Sequence, residues 1–500
     1  DQYAKKVCVE KYDSNGDGEL SEREAASVRF IDSNFFGDYQ KVVKSFNEFK
    51  YFIYAQGIPK SAFKDCTLLK SIHLPKNILY IDKDAFANCD IEEVHIENLN
   101  SWYKIVSVAR ISPKYDLYLN GSLVTDVIIP EGASLIYKFA GCKSLKSAVF
   151  PDNITEIEQA AFYGCSSLAN ITIPEGITTI KSDAFSGCCS LTDVNIPDGV
   201  TTIGDAAFMD CSSLANINIP NGVIVIGSYT FRNCSSLINI DIPEGVTTIG
   251  AHTFSGCSGL QCITIPKSVK SLGGNIFTGC KGKLIINCNI PSHSGAYYLD
   301  PFYDNKFSEI VFGDDIVAIG DNVLEDAFDE NNNLTSLTIG SNVALIEAGC
   351  FNRCVNLKTV YCKAATPPVI KQSTLVFKRS PCLFYVPYEA VNTYREDEYW
   401  KKYRHFIVGY DFEKGEVVPT EDPEPSNQEI VYHSSRQIEL KESADFGAKV
   451  IRHHWSKETG KGVITLDTDV TNIAGAFRQC GSLTSVTIPN RVTSINASEF

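Results

Sequence analysis

A 23-residue repeat is the feature that most restricts how this chain can fold. The unit A-F-x-x-C-x-x-L-x-x-I-x-I-P-x-x-V-x-x-I occurs in six tandem copies, with its phenylalanine and cysteine at a constant step of 23 residues. These positions are Phe162, Phe185, Phe208, Phe231, Phe254 and Phe277, with Cys165, Cys188, Cys211, Cys234, Cys257 and Cys280. Because so short a unit cannot bury its own apolar side chains, neighbouring units must stack. The repeat therefore predicts a solenoid.

Each unit contains a short segment in which apolar and polar residues alternate. Ile171 and Ile173 alternate with Asn170 and Thr172, which is the period of a half-buried β-strand. Stacking then places equivalent strands side by side in a parallel sheet, about 4.8 Å apart. Pro174 follows the strand and ends its hydrogen bonding. We expect one such strand in every unit.

The period slips in two regions, 97–127 and 281–312. The interval from Phe86 to Phe139 is 53 residues, which is seven more than two periods. Asn120-Gly121 lies inside this interval, and this dipeptide is a typical signal for a β-hairpin. We expect an irregular coil there.

The repeat resembles that of the BspA-like surface leucine-rich-repeat proteins of bacteria and some mucosal protists. The resemblance rests on the unit at 160–180 and above all on its Phe–Cys pair. Three further segments match habits of that family: an acidic loop at 12–21, a closing unit at 384–403 and a Tyr/Ser-rich segment at 429–435. The resemblance implies an α/β fold. It would be a right-handed leucine-rich-repeat solenoid with a parallel β-sheet, a short helical N-terminal cap, a C-terminal capping unit and the start of a second repeat array.

Four segments follow from these patterns. We expect a helical cap at 1–55, with helices over 3–11 and 21–28, and a solenoid at 56–412 that Tyr394, Trp400 and Tyr403 close. Residues 413–428 are acidic and rich in proline, which is typical of a semi-extended linker. A second leucine-rich-repeat unit is expected to begin at 429 and to run to 500.

The acidic loop fits the EF-hand pattern D-x-[DN]-x-[DN]-G-x5-E at every position. In such a loop the ligands are side-chain oxygens at the first, third and fifth positions, a backbone carbonyl at the seventh, a water-mediated contact at the ninth and a bidentate carboxylate at the twelfth. Here these positions are Asp13, Asn15, Asp17, Glu19, Ser21 and Glu24. Hard oxygen ligands favour Ca²⁺ over transition metals. The sequence predicts one structural calcium ion in an EF-hand-like or dockerin-like loop; the alternative is a decayed loop that only caps the solenoid.

Eleven of the 18 cysteines occupy the F-x-x-C position. Stacked units would align them in a column, so we expect them to be small buried apolar side chains. No C-x-x-C spacing suggests a metal site. Cys362 and Cys382, on either side of the closing unit, are the one pair that we nominate for a disulfide.

Two stripes of polar residues follow the outward positions of the predicted strands. They are Asn170, Thr172, Asp193, Asn195, Asn216, Asn218, Asn239 and Asp241. Two interpretations remain open: ladders of side-chain hydrogen bonds with a structural role, or a flat docking surface for a protein partner. Aromatic rings are absent from these stripes, which weakens a glycan-stacking hypothesis. Aromatic residues concentrate instead at Tyr297, Tyr298, Phe302, Tyr303 and Phe307.

Charge and motifs exclude several classes of function. The formal net charge is −15, and no cluster of Lys or Arg stands out, so nucleic acids and anionic membranes are poor partners. No apolar run is long enough to form a membrane-spanning helix, so we expect no direct membrane insertion. Because no catalytic motif is present either, we predict that the protein is not an enzyme.

The resemblance implies an extracellular protein of the bacterial cell surface that acts in adhesion. We expect contacts with host matrix or other cells through an unidentified protein ligand. The alternative is a surface scaffold that captures glycan or host-protein nutrients. We expect a monomer, and because the chain opens at Asp1, we expect that a signal or lipid anchor has been removed.

Overall fold

The predicted solenoid is confirmed. A computed structural model of the chain describes all residues except 83, 108–110, 136, 290–300, 321–332, 348–349, 352–353, 372–381, 441–445, 457–458 and 496–500. It contains a parallel-strand β-solenoid of about 14 turns with few helices and a short helical N-terminal part. The chain divides into two compact units, 1–282 with 295–305, and 283–294 with 306–500.

The first unit opens with the two predicted helices, α1 (Gln2–Tyr12) and α2 (Glu22–Ser27), and later contains α3 (Leu99–Lys104). Asp1 caps α1 by accepting hydrogen bonds from the amides of Tyr3 and Ala4. Behind these helices, a cluster of phenylalanines is almost fully buried: Phe35, Phe36, Phe46, Phe49, Phe52 and Phe63. Their rings close the first end of the stacked coils, so the helical part is joined to the array by aromatic packing.

Short strands make up most of the regular structure in the first unit. In chain order they are β1 (Ser45–Phe46), β2 (Gly57–Ile58), β3 (Ser71–His73), β4 (Tyr80–Ile81), β5 (Glu93–Ile96), β6 (Val106–Ser107), β7 (Asp116–Leu119), β8 (Ser122–Leu123), β9 (Asp126–Ile128), β10 (Ser147–Val149), β11 (Glu156–Ile157), β12 (Asn170–Ile171), β13 (Thr179–Ile180), β14 (Asp193–Val194), β15 (Thr202–Ile203), β16 (Asn216–Ile217), β17 (Val225–Ile226), β18 (Asn239–Ile240), β19 (Thr248–Ile249), β20 (Cys262–Ile265) and β21 (Ser271–Leu272).

Each regular coil contributes two strands, whereas the sequence predicted one. The predicted strands form the sheets β1-β3-β5-β7-β8, β9-β10-β12 and β14-β16 and the pair β18-β20. The additional strands form β2-β4-β6 and a six-stranded sheet, β11-β13-β15-β17-β19-β21. This second set comes from the V-x-x-I segment after the proline. It runs beside the same segment of the next coil, so their backbone groups pair in parallel register, as Thr179 does with Thr202.

The irregular coil at 97–127 contains the predicted hairpin. Strands β7 and β8 pair antiparallel, with Tyr118 opposite Leu123. Asn120 and Gly121 form the turn, with φ angles of 48° and 82°. Both residues tolerate this left-handed backbone, which a two-residue hairpin of this kind requires.

The Phe and Cys columns form the centre of the regular coils. From Phe139 to Phe277 the rings stack at centroid distances of 5.4 to 6.0 Å. Each thiol reaches back to the preceding coil: Cys188 Sγ donates to the Phe162 carbonyl oxygen over 3.3 Å, and the neighbouring coils repeat this contact at 3.0 to 3.2 Å. The cysteines therefore join adjacent coils as well as filling the core.

In the second unit the strands are β22 (Lys281–Ile286), β23 (Lys306–Phe312), β24 (Ala318–Ile319), β25 (Ser336–Ile339), β26 (Leu345–Ile346), β27 (Thr359–Cys362), β28 (Val369–Ile370), β29 (Leu383–Pro387), β30 (Ile407–Asp411), β31 (Glu416–Val418), β32 (Glu429–Ser434), β33 (Val450–Trp455), β34 (Lys461–Leu466) and β35 (Leu483–Thr487). One helix, α4 (Val391–Glu396), is described there. This unit again has two sets of strands per coil. One set has the order β22-β23-β25-β27-β29-β30-β31, and the other forms the sheet β24-β26-β28.

Buried aromatic rings cover the last coil of this array. Tyr394 and Trp400 are fully buried, and Tyr403 is 3% exposed. The Trp400 indole donates to the Pro368 carbonyl oxygen over 2.8 Å. The nominated disulfide was wrong: Cys362 and Cys382 are not bridged, and the Cys362 sulfur instead lies 3.1 Å from the Tyr394 hydroxyl.

Within 429–487, the four described strands form an antiparallel sheet with the order β33-β34-β32-β35. Tyr432 and Phe477 belong to its core cluster. Before it, β31 pairs antiparallel with β30, so the predicted linker contains a short strand. Arg395 donates to the Glu421 carbonyl and Arg404 to the Glu424 carbonyl, which holds 419–428 against the cap.

The structure describes three of the five aromatic residues noted at 297–307, and they differ in burial. Tyr297 and Tyr298 lie outside the described residues. Phe302 is buried and stacks on Phe277 at 5.9 Å, and Phe307 is fully buried. Tyr303 is 41% exposed. Two of the three described rings are therefore core residues.

The adjacent pair Cys188 and Cys189 offers a matched test of the cysteine column. Cys188 is fully buried, and burial raises its pKa, whereas Cys189 is exposed. Cys188→Ser should lower the free energy of unfolding by about 1–3 kcal/mol, because a more polar hydroxyl is buried in an ill-fitting site. Cys189→Ser should change it by less than about 0.5 kcal/mol. Denaturant unfolding measures both, and equal effects would contradict a structural role for the column.

Candidate binding surface

The predicted polar stripes lie on one face of the first unit. All eight residues (Asn170, Thr172, Asp193, Asn195, Asn216, Asn218, Asn239 and Asp241) are exposed. Parallel pairing aligns them at the 23-residue step, with Asp193 opposite Asn216 and Asn170 opposite Ser147. The buried isoleucines and valines between them fix this orientation. We call these eight residues the polar face.

Hydrogen bonds give three members of the polar face a structural role. The Asn218 side chain accepts from the Ile196 amide and donates to the Ile196 carbonyl, both over 2.9 Å. It thereby takes the place of a backbone strand partner. Asn216 donates to the Asp193 carboxylate over 3.0 Å. The structural interpretation therefore fits Asn218, which stabilises the neighbouring coil. The docking interpretation remains open for Asn195, which projects outward from the same column.

Exposed apolar residues continue this column beyond Thr172, and their role was not evident from the sequence. Val149 pairs directly with Ile128, and these side chains are 56% and 77% exposed. Large aliphatic side chains on the outer face of a strand add nothing to the core. The column therefore passes from amide and carboxylate groups to an aliphatic patch.

An aromatic ladder occupies the strands before this patch. We give this name to His73, His95 and Tyr118, which are in register on β3, β5 and β7. Their ring centroids lie 5.7 and 4.7 Å apart, and the rings are stacked. Burial and the nearby Lys50 lower the pKa of His73. The signal was present in the sequence, since the alternation at 71–73, 93–96 and 116–119 places each ring on the polar side of its strand.

The predicted calcium loop connects α1 to α2 and turns through two glycines. Gly16 and Gly18 have φ angles of 73° and 81°, which glycine adopts without strain. The Asp13 carboxylate accepts from both of their amides, over 2.7 and 2.9 Å. Asn15 and Asp17 accept from amides two residues further on. Side-chain oxygens at the first, third and fifth positions thus organise the turn.

Glu24, at the twelfth position, is the one ligand candidate that is buried, at 8% exposure. One carboxylate oxygen accepts from the amide and hydroxyl of Ser14, and the other from the amide and hydroxyl of Ser21. These bonds from Ser21 and Ser14 lower the pKa of Glu24 to about 2. The carboxylate thereby joins the two ends of the loop. Glu19 lies outside and pairs with Lys5 over 2.7 Å.

Convergent metal ligands are absent from the described part of the chain: no three His, Cys, Asp or Glu side chains come close enough together to hold an ion. In the acidic loop, Asp13 and Asp17 bind backbone amides, and Glu24 is directed to the two serines. His453 and His454 do not form a joint site either. Tyr432 contacts His453 over 2.7 Å, and His454 packs edge-on against Phe406.

Comparison with known proteins agrees with the geometry of the repeat. The sequence profile of the BspA type leucine rich repeat region matches residues 27–106, 133–261, 256–380 and 461–500. The chain belongs to the BspA-type leucine-rich-repeat family. The family includes bacterial cell-surface proteins, and leucine-rich-repeat proteins bind proteins or other ligands. Family and fold are typical of binding scaffolds without enzymatic activity.

Several solved structures are similar to this BspA-type chain. A leucine-rich-repeat protein of T. pallidum is 32% identical over 33% of this chain and 73% of its own, with a TM-score of 0.27. One from Bacteroides ovatus is 19% identical over 76% and 85%, with a TM-score of 0.45. A leucine-rich cell surface protein of Faecalibacterium prausnitzii is 20% identical over 67% and 83%, with a TM-score of 0.30. No curated protein matches.

The α-helices of the described residues are α1 to α4. Within those ranges, every helix is too short or too polar to cross a bilayer.

The two interpretations of the polar face can be separated at neighbouring coils. Asn218→Ala should lower the free energy of unfolding by about 1 kcal/mol and speed amide exchange at Ile196, because it removes the amide bridge. Asn195→Ala should leave both quantities unchanged. Amide hydrogen exchange measures this. Equal exchange at Ile196 in both variants would show that the Asn218 bridge does not stabilise the coil.

Proposed function

We propose that this BspA-type protein is a cell-surface adhesion protein that binds a host-matrix or cell-surface protein through the polar face and the adjoining patch of Ile128 and Val149. The observation that carries the proposal is the exposed patch, 77% and 56% accessible at its two residues. A polar rim beside a small apolar centre is the usual composition of a protein interface.

Rigidity of the coils supports the same proposal. Cross-coil hydrogen bonds and stacked phenylalanines hold the strands in place before any partner arrives. A preformed surface loses little conformational entropy on binding. The acidic character of the chain favours partners that present basic or neutral protein surfaces, since the net charge is −15.

Val149 and Val225 form a matched pair for testing this surface. Both are exposed strand valines, at 56% and 45%, but Val225 lies in the six-stranded sheet. Val149→Lys should weaken binding to an immobilised matrix-protein panel at least about tenfold, because a charge at the centre of an apolar patch must be desolvated. Asn195→Lys should weaken it as well.

The control, Val225→Lys, should bind as the unmodified protein does. Circular dichroism and unfolding midpoints establish that all three variants are folded. Unchanged binding by Val149→Lys and Asn195→Lys would overturn the proposed surface.

A second candidate function is capture of glycan nutrients, and rings in the second unit favour it. Tyr361 and Tyr385 stack at 4.8 Å on neighbouring strands, and Tyr410 packs edge-on against both. Partly exposed tyrosines offer apolar ring surface together with hydroxyl groups. Including mucin glycans freed from protein in the binding panel, with Tyr385→Ala as the variant, separates this candidate from adhesion.

We further propose that the 13–24 loop binds one structural calcium ion. The oxygens of Asp13, Asn15, Asp17 and Glu24 are a hard donor set, and the Gly18 bend supports the EF-hand register. Binding requires the Glu24 carboxylate to exchange its serine partners for the ion. At a Kd of about 10⁻⁴ to 10⁻³ M, about 2 mM calcium would stabilise the cap by roughly 0.7–1.8 kcal/mol.

Calcium should therefore slow amide exchange in residues 1–55 and leave the 160–280 coils unchanged, since a solenoid transmits stability mainly to nearest neighbours. Glu24→Gln should abolish the difference between calcium and chelator, because the variant lacks the bidentate charge. Ser27→Ala, which changes a hydroxyl bonded to the Glu24 carbonyl rather than its carboxylate, is the control. Identical exchange in calcium and chelator would leave the loop with a capping role alone.

A further inference from the structure

One coil of the first unit is shorter than the others. From Pro130 to Phe139 the chain advances nine residues, whereas Pro151 to Phe162 and every following coil to Phe277 advance eleven. The described residues of this shortened coil, 130–135, contain no strand. As a consequence β11 is one of the two outer strands of the six-stranded sheet, with β13 on its other side.

The shortened coil also lacks an apolar side chain. Ala133 stands at the position that Ile154, Ile177 and Val200 occupy in the next three coils. Ile177 and Val200 are fully buried, whereas Ile154, beside the alanine-containing coil, is only partly buried. The space left open is a cleft of about 370 Å³, lined by Pro130, Ala133, Ser134, Ile154, Glu156 and Glu158, among others.

Unpaired backbone groups face this cleft. The carbonyls of Thr155 and Ile157 accept from Thr178 and Lys181 of the next coil. Since alternate residues of a strand direct their peptide groups to opposite sides, the amide and carbonyl of Glu156 point to the shortened coil. No backbone hydrogen bond joins the described residues 130–135 to 153–158. An outer strand of this kind is a template for a further strand.

Carboxylates give the cleft its charge. Glu156 pairs with Lys181 over 2.7 Å at the strand, and both side chains are 41% exposed. The Glu158 carboxylate accepts from the Ser134 hydroxyl and the Leu135 amide, which fixes the shortened coil at a distance from β11. Glu131 and Asp152 are exposed nearby in the sequence. Apart from Lys181, the charged side chains named here are carboxylates, so the surroundings of the open strand favour positive charge.

We propose that an extended, basic peptide segment of a partner protein binds this cleft as an added strand beside β11. Its backbone pairs with Glu156, an aliphatic side chain covers Ile154, and a Lys or Arg meets the acidic rim. Main-chain pairing supplies affinity and the small pocket above Ala133 supplies selectivity. The site is separate from the polar face and does not depend on the adhesion proposal.

Fluorescence anisotropy with a labelled acetyl-Val-Lys-Val-Lys-Val-amide peptide tests this site on the full chain. Ala133→Ile restores the aliphatic residue of the other coils and fills the cleft, and Glu156→Lys reverses the charge. Each variant should weaken peptide binding about tenfold. Thr202→Lys, on a strand of the same sheet that is paired on both sides, is the matched control and should leave binding unchanged.

Two altered peptides separate the sources of affinity. A Val-Glu-Val-Glu-Val peptide should bind at least about tenfold more weakly, and so should a backbone N-methylated basic peptide, which cannot donate to a strand. Amide exchange at Glu156 should slow when the basic peptide is added. Equal binding of the N-methylated peptide, full binding by Ala133→Ile, or no binding to the unmodified protein would overturn the proposal.

Asn195→Lys distinguishes this proposal from the one for the polar face. It should retain peptide binding even where it loses the matrix protein. Should it lose both while remaining folded, the peptide binds the polar face, and the cleft proposal fails.

Discussion

The fold depends on one repeated contact between coils: a buried thiol donates to a phenylalanine carbonyl of the preceding coil. In the regular array this contact recurs at 3.0 to 3.3 Å, and the same carbonyl also accepts the amide of the cysteine in its own coil. A buried carbonyl has two acceptor positions, and both are used. The Phe ring above it stacks on its equivalents. Because Phe and Cys are three residues apart in each regular unit, these two hydrogen bonds fix how each coil is aligned on the preceding one.

The regular stacking of coils requires a left-handed backbone two residues before each phenylalanine of the repeat. Seven equivalent residues have left-handed backbone, with φ between 51° and 62°: Tyr137, Ala160, Asp183, Ala206, Tyr229, His252 and Asn275. None is glycine, so each carries a steric cost. Cross-coil amide bonds at the same corner offset it, as from Ala206 to the Ser228 carbonyl over 2.8 Å. The stacked neighbours thus stabilise a turn that one coil alone would not adopt.

The same regularity explains where binding surfaces can arise. Inside the array, adjacent coils pair the backbone groups and bury the apolar side chains. Only the outward strand positions are then available for recognition. The polar face and the Ile128–Val149 patch are surfaces of that kind. The cleft beside β11 has a different origin, because the described residues 130–135 of the shortened coil contain no strand and Ala133 replaces an aliphatic side chain. Both proposals follow from the repeat, one from its outward residues and one from its interruption.

The sequence by itself determined the solenoid, the strand with its alternating isoleucines, the hairpin at Asn120-Gly121 and the buried cysteines, because each depends on local spacing that stacking merely repeats. It also placed the polar face correctly on the exposed side. Tertiary structure decided what spacing leaves open: the second strand of each coil, the bridge from Asn218 to Ile196 and the stacking of His95 on Tyr118. It also decided that Glu24 is directed to Ser14 and Ser21. These features depend on which residues of different coils meet, and the small insertions and deletions between coils set that alignment.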